Sequence, residues 1–173
     1  MTDFTIRRAT LDDVERAARL GAEIVKHHHR TNPERFFLLD DVEQGYAWWL
    51  RQELSRADAV VLLAEQGGQV VGYAYGAIEP RDWSILLDQH GALHDLFVVP
   101  EARRTGVGKA LVQALIDALT QLGATLLVLR VMVQNEPARR LAESFGFATT
   151  MLELSRGSNA PTAGTNTRAS NEG

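Results

Sequence analysis

The stretch FVVPEARRTGVGKALVQAL at residues 97–115 constrains this chain more than any other. Aromatic and β-branched residues run into Pro100, two arginines and two glycines follow, and Leu111, Leu115, Ile116, Leu119 and Leu122 then recur at helical spacing. A strand that stops and becomes a helix in this way presents the first amides of that helix. Those N–H groups have no partner within the helix, and the helix dipole adds partial positive charge to them, so an oxyanion can accept several at once. Gly106 and Gly108 let a ligand approach the backbone, and Arg103, Arg104 and Lys109 bring charge suited to a diphosphate. The competing reading is a glycine-rich helix start with a solvated basic rim.

Two familiar phosphate motifs are excluded. A P-loop needs Ser or Thr after its lysine, whereas Lys109 is followed by Ala110 and the earlier glycine position holds Arg103. A dinucleotide fingerprint needs glycine where Leu111 stands, and no βαβ unit opens the chain. RxxGxG, at Arg103, Gly106 and Gly108, remains.

Composition narrows the class. With 173 residues, 45% hydrophobic and 23% charged, the chain suits one domain with one filled core. A formal charge of -4 and a pI near 5.7 argue against a nucleic-acid or anionic-membrane surface, so an anion site has to be local. Without cysteine there are no disulfides, thiolate metal sites or cysteine nucleophile. A polar start and the lack of a membrane-length apolar run lead us to expect a cytoplasmic protein.

Along the chain, FTIRRAT alternates as a short strand, and Thr10 with Asp13 forms a capping pattern before Val14, Ala17, Ala18, Leu20 and Ile24. That helix should end before Pro33, and a second is predicted over 41–55. AVVLLAEQGGQVVGYAYGAI reads as a hairpin turning at Gly67 and Gly68, GALHDLFVV as a further strand, and TLLVLRVMV as a buried central strand. EPARRLAESFG is a short helix and FATTMLEL a last strand. The predicted order is β-α-α-β-β-β-α-β-α-β. Beyond Leu154 no large apolar residue or period remains, which predicts a flexible tail.

VxPxxRxxGxGxxL at residues 98–111, with NxxAxxL and GF at Asn135, Ala138, Leu141, Gly146 and Phe147, resembles the GNAT superfamily of acyl-CoA-dependent N-acetyltransferases. The resemblance implies an α/β fold with a mixed, mostly antiparallel central sheet and helices on both faces. It assigns residues 1–155 to a GNAT-like domain and leaves 156–173 as a low-complexity tail. It further implies acetyl-CoA as acetyl donor, no metal, and a coenzyme site at Arg103, Arg104, Thr105, Gly106, Val107, Gly108 and Lys109. In the family the strand carrying Leu96, Phe97 and Val98 splays from its neighbour and frees backbone groups for the pantetheine arm. Asn135 matches a residue that reaches the pantetheine or amine side; a helix N-cap ahead of Pro137 is equally compatible.

Acetyl transfer needs positioning, a path for the amine proton and donors near the carbonyl oxygen. A free amide near Val98 suits the last need. For the proton, His94 and Asp95 occupy positions where members similar to diamine acetyltransferases carry acidic residues. Strand alternation predicts that only one of the two faces the cleft, and imidazole chemistry favours His94; Asp95 is equally a catalytic candidate or an inward group bonded to backbone. Members of the family often carry a tyrosine general acid where this chain has Ala142, which leaves water, Ser144, Tyr73 or Tyr75 as proton donor to the thiolate.

The run His27 to His29 cannot converge on one metal ion from a helix. His28, Arg30 and Phe36 are candidate substrate contacts. Trp48, Trp49 and Trp83 are core or pocket residues, and Asp40, Asp41, Glu43, Glu79 and Asp82 are either a solvated face or an attraction for a cationic amine. The expected function is acetyl transfer to a primary amine of a small molecule, from a monomer or homodimer that binds neither nucleic acid nor membrane. The alternatives are an acyl-CoA sensor without turnover and a peptide or protein N-acetyltransferase.

Overall fold

A computed structural model describes residues 3–157. Five strands form one sheet in chain order: β1 (Thr5–Arg8), β2 (Ala59–Gln66), β3 (Gln69–Glu79), β4 (His90–Val98) and β5 (Leu127–Leu129). The first four pair antiparallel, and β5 joins β4 in parallel. Helices α1 (Val14–Thr31) and α2 (Val42–Leu54) cover one face, and α3 (Val107–Gln121) covers the other. A short helix, α4 (Glu136–Glu143), follows β5.

The sequence pattern explains each layer. Val60, Leu62 and Ala64 of β2 meet Leu111, Leu115 and Leu119 of α3, while Val61 and Leu63 meet Val14, Ala17, Ala18, Ala47 and Leu50 of α1 and α2. A strand buried on both faces has to be apolar throughout, as AVVLLA is. Gly67 and Gly68, at φ +56° and +76°, make the two-residue turn between β2 and β3. Ahead of α1 the predicted capping box forms: the backbone N–H of Thr10 donates to Asp13 Oδ2 at 2.8 Å. Asp13 is buried, yet Arg7 and Arg16 donate to it, and the Arg7 bonds hold its carboxyl below the usual range against the effect of burial.

Two expectations are corrected. TLLVLRVMV is not a buried central strand; only Leu127–Leu129 pair, half-buried at the edge of the sheet. FATTMLEL forms no strand, and Met151, Leu152 and Leu154 are exposed. Both departures have one cause: apolar content reports a tendency to be buried, but a strand also needs a ladder partner, and among the described residues the sheet ends at β5. Most of the expected tail lies outside the described residues. Among the described residues no helix is long and apolar enough to cross a membrane.

Candidate active site

The parallel pairing of β4 with β5 covers only Gly91 to Leu93 of β4, so the strands part at His94. Beyond that point β4 keeps its antiparallel neighbour β3 on one side alone. The N–H of Val99 donates to the carbonyl of Val71 at 3.0 Å. By ladder alternation, the backbone groups of Leu96 and Val98 therefore point away from β3, into the opening. At its end stands the first turn of α3.

Gly106 is the N-cap of α3 at φ +98°, a left-handed conformation that glycine adopts without strain, and no side chain caps the turn. A Cβ added at Gly106 would meet nothing within 4 Å. One at Gly108 would lie 3.7 Å from Val98 and 3.8 Å from Leu141. The helix amides thus open onto a space walled by β4 and α4, and a side chain at position 108 would fill part of it. Lys109 and Arg104 are exposed beside it. The shape and the donor set fit a diphosphate, with the free edge of β4 in line for an amide-containing arm. Arg103 is drawn back along β4: its Nε donates to the Val98 carbonyl at 2.9 Å and its guanidinium lies over Phe97. Thr105 Oγ1 donates to the Ala102 carbonyl at 2.7 Å, which ties the loop together. Asn135 acts as a helix cap, accepting from the Ala138 amide at 3.3 Å.

His94 and Asp95 do not alternate. The β3–β4 register shifts between Tyr75 and Gly76, and the bulge turns both side chains to the face covered by α1 and α2, while Leu93 and Leu96 point to the α3 side. Asp95 accepts from the hydroxyls of Tyr46 and Tyr73, the latter at 3.0 Å. Burial raises its pKa above the usual carboxyl range, and the two tyrosine bonds partly offset that rise. Burial first, then the neighbouring carboxylate, keeps both phenols protonated. His94 stacks on Tyr75 at 5.2 Å, and its Nε2 lies 3.0 Å from Glu79 Oε1. A carboxylate can only accept, so Nε2 carries a hydrogen and donates it to Glu79. Tyr75 in turn donates to the buried Glu53 at 2.5 Å.

The remaining candidates divide. Glu79, Asp82 and Trp83 line a cavity of about 540 Å³ with His94, whereas Trp49 packs between Tyr46 and Tyr75. The His28 ring packs tilted against Phe36 with centroids 4.8 Å apart, and His29 donates to the Phe36 carbonyl. Of the proposed thiolate acids, Tyr73 and Tyr75 are engaged with carboxylates and Ser144 with the Leu141 carbonyl. Sequence reasoning missed Tyr46 and Arg130; Tyr46 is 49 positions from its partner, with no local signal to join them.

Uncapped amides at a helix start, beside a strand that loses its partner, are the arrangement expected of an acyl-CoA-dependent transferase. The model of the acetyltransferase (GNAT) family matches residues 22–147, and the chain belongs to that family. Among its relatives, the uncharacterised N-acetyltransferase YhfO of Bacillus subtilis is 36% identical over 60% of this chain and 68% of that protein. An N-alpha-acetyltransferase of Sulfurisphaera tokodaii is 30% identical over 84% and 80%, and the L-amino acid N-acyltransferase MnaT of Escherichia coli 32% over 64% and 61%. Among solved structures, aminoglycoside N-acetyltransferase AAC(6')-Iy in complex with CoA superposes with a TM-score of 0.69 at 19% identity, covering 92% of this chain and 97% of that one.

Proposed function

We propose that this acetyltransferase moves the acetyl group of acetyl-CoA to a primary amine of a small molecule by direct attack on the thioester. The observation that carries the reading is the uncapped first turn of α3 opening onto the free edge of β4. Amides of Gly106, Val107 and Gly108 hold the diphosphate, with Lys109 and Arg104 neutralising its charge. Backbone groups of Leu96 and Val98 pair with the pantetheine arm, which brings the thioester beside His94, and a β4 amide polarises its carbonyl. The acceptor ammonium gives one proton to His94. Its neutral nitrogen then forms the N–C bond, the C–S bond breaks, and the second amine proton leaves with the thiolate as coenzyme A thiol. Asp95 positions Tyr46 and Tyr73 at the wall of this site.

The MnaT relationship supports a small amine as acceptor. A second reading, acetylation of protein N-termini, has the longer alignment with the N-alpha-acetyltransferase in its favour. Thiol release measured with acetyl-CoA and two panels, small amines and short peptides, decides between them. The proposal expects small amines to accelerate release over hydrolysis. Acceleration by peptides alone would replace it with the second reading, and acceleration by neither would contradict both.

A further inference from the structure

The cavity beside His94 has a charge arrangement that the coenzyme site does not use. Glu79 and His94 line it as a contacting pair, 3.0 Å apart. Arg130 follows Leu129, the residue paired with Leu93, so it stands level with His94 where β4 and β5 part. Trp83 and Ile85, from the loop between β3 and β4, add exposed apolar surface to the lining.

The other charges of this wall are engaged. Arg81 forms a two-bond ion pair with Asp88, at 2.9 and 3.0 Å. Asp82 Oδ1 accepts from both the amide and the hydroxyl of Ser84, at 2.8 and 2.6 Å. Glu79 holds His94. Among the described residues no hydrogen bond or ion pair within 4 Å engages Arg130; it acts on the Asp82 and Glu153 carboxyls through its charge alone, and its guanidinium offers a planar fork for a carboxylate. A polycation entering this cavity would meet that guanidinium, whereas an acceptor with charges of both signs would meet a partner for each charge.

We propose that this cavity is the acceptor subsite and that it selects a primary amine carrying a carboxylate, with Arg130 taking the carboxylate and the His94–Glu79 pair facing the amine; this rests on the acetyl-transfer reading above. Trp83 and Ile85 then lie along the acceptor's side chain.

The test pairs each acceptor with the same amine lacking the carboxylate: L-leucine with 3-methylbutylamine, and L-methionine with 3-(methylthio)propylamine. The expected kcat/KM is higher for the amino acid by at least about tenfold, the value of one charge-assisted contact. Arg130→Gln should collapse that ratio, mainly through KM, Arg130→Lys should restore part of it, and Arg130→Glu should shift preference to diamines. Calorimetry of the CoA-loaded protein with the amino acid should show binding that Arg130→Gln removes, a readout independent of turnover. The inference is overturned if the decarboxylated amine or a diamine is the better acceptor for the unmodified enzyme, or if Arg130→Gln leaves the ratio unchanged. In those cases acetyl transfer stands; if no amine accelerates thiol release, both readings fall together.

Discussion

The proposed coenzyme side and the proposed acceptor side of this molecule are built by different means. The first is a backbone site: one contiguous segment supplies the end of β4, the glycine turn and the first turn of α3, and its donors are main-chain amides. The second is a side-chain site, assembled from Tyr46 on α2, Tyr73, Tyr75 and Glu79 on β3, His94 and Asp95 on β4, and Arg130 after β5. A backbone site depends on local conformation, which glycine and proline positions declare. A side-chain site depends on strand register, which they do not.

The largest test of this difference is Gly108→Ile. A Cβ there makes only ordinary contacts in the folded chain, so the melting temperature should hold. The branched side chain occupies the ligand's space, and losing two charge-assisted bonds should weaken CoA binding about a thousandfold in calorimetry. Unchanged affinity would show that the turn is not the grip.

On the acceptor side, His94→Ala should lower kcat by about a hundredfold, with partial rescue by added imidazole and little change in CoA affinity. An unaffected kcat would move the proton to another group.

Gly21→Ala tests how far the side-chain site depends on distant packing. A Cβ at Gly21 would sit 2.0 Å from Tyr46 Cε1, so the ring must leave its place beside Asp95. The expected cost is about 1–3 kcal/mol of stability, read as a lower melting temperature, together with reduced turnover and unaltered CoA binding. Retention of both stability and turnover would show that Tyr46 has no part in the site.

A smaller effect concerns pH. Burial raises the Asp95 carboxyl above its unfolded value, so from about pH 4 upward the native state holds more proton than the unfolded chain and stability declines as pH rises. Asp95→Asn removes that penalty and can still accept from both tyrosines. Its melting temperature should exceed the unmodified protein's at pH 7, with the gap closing toward pH 4; a gap independent of pH would contradict the assignment. The smallest change belongs to the surface: Glu153→Gln breaks an exposed pair with Arg35 and should leave the melting temperature within error.

The same contrast explains what the sequence made legible. The order of elements from β1 through α4, the hairpin at Gly67 and Gly68, the capping box and the turn at Gly106 follow from short-range rules. The bulge at His94 does not: alternation predicts one inward residue, and the register shift delivers two. Nor does the ending of the sheet: TLLVLRVMV joins a ladder only over Leu127–Leu129, and FATTMLEL has strand composition without a ladder to join. Tyr46, brought to Asp95 by the space above Gly21, lies beyond any local pattern.

The most direct measurement is a crystal structure with coenzyme A. The account predicts diphosphate oxygens about 3 Å from the amides of Gly106, Val107 or Gly108 and the pantetheine arm alongside Leu96 and Val98. A diphosphate held elsewhere, with those amides facing only solvent, would contradict it.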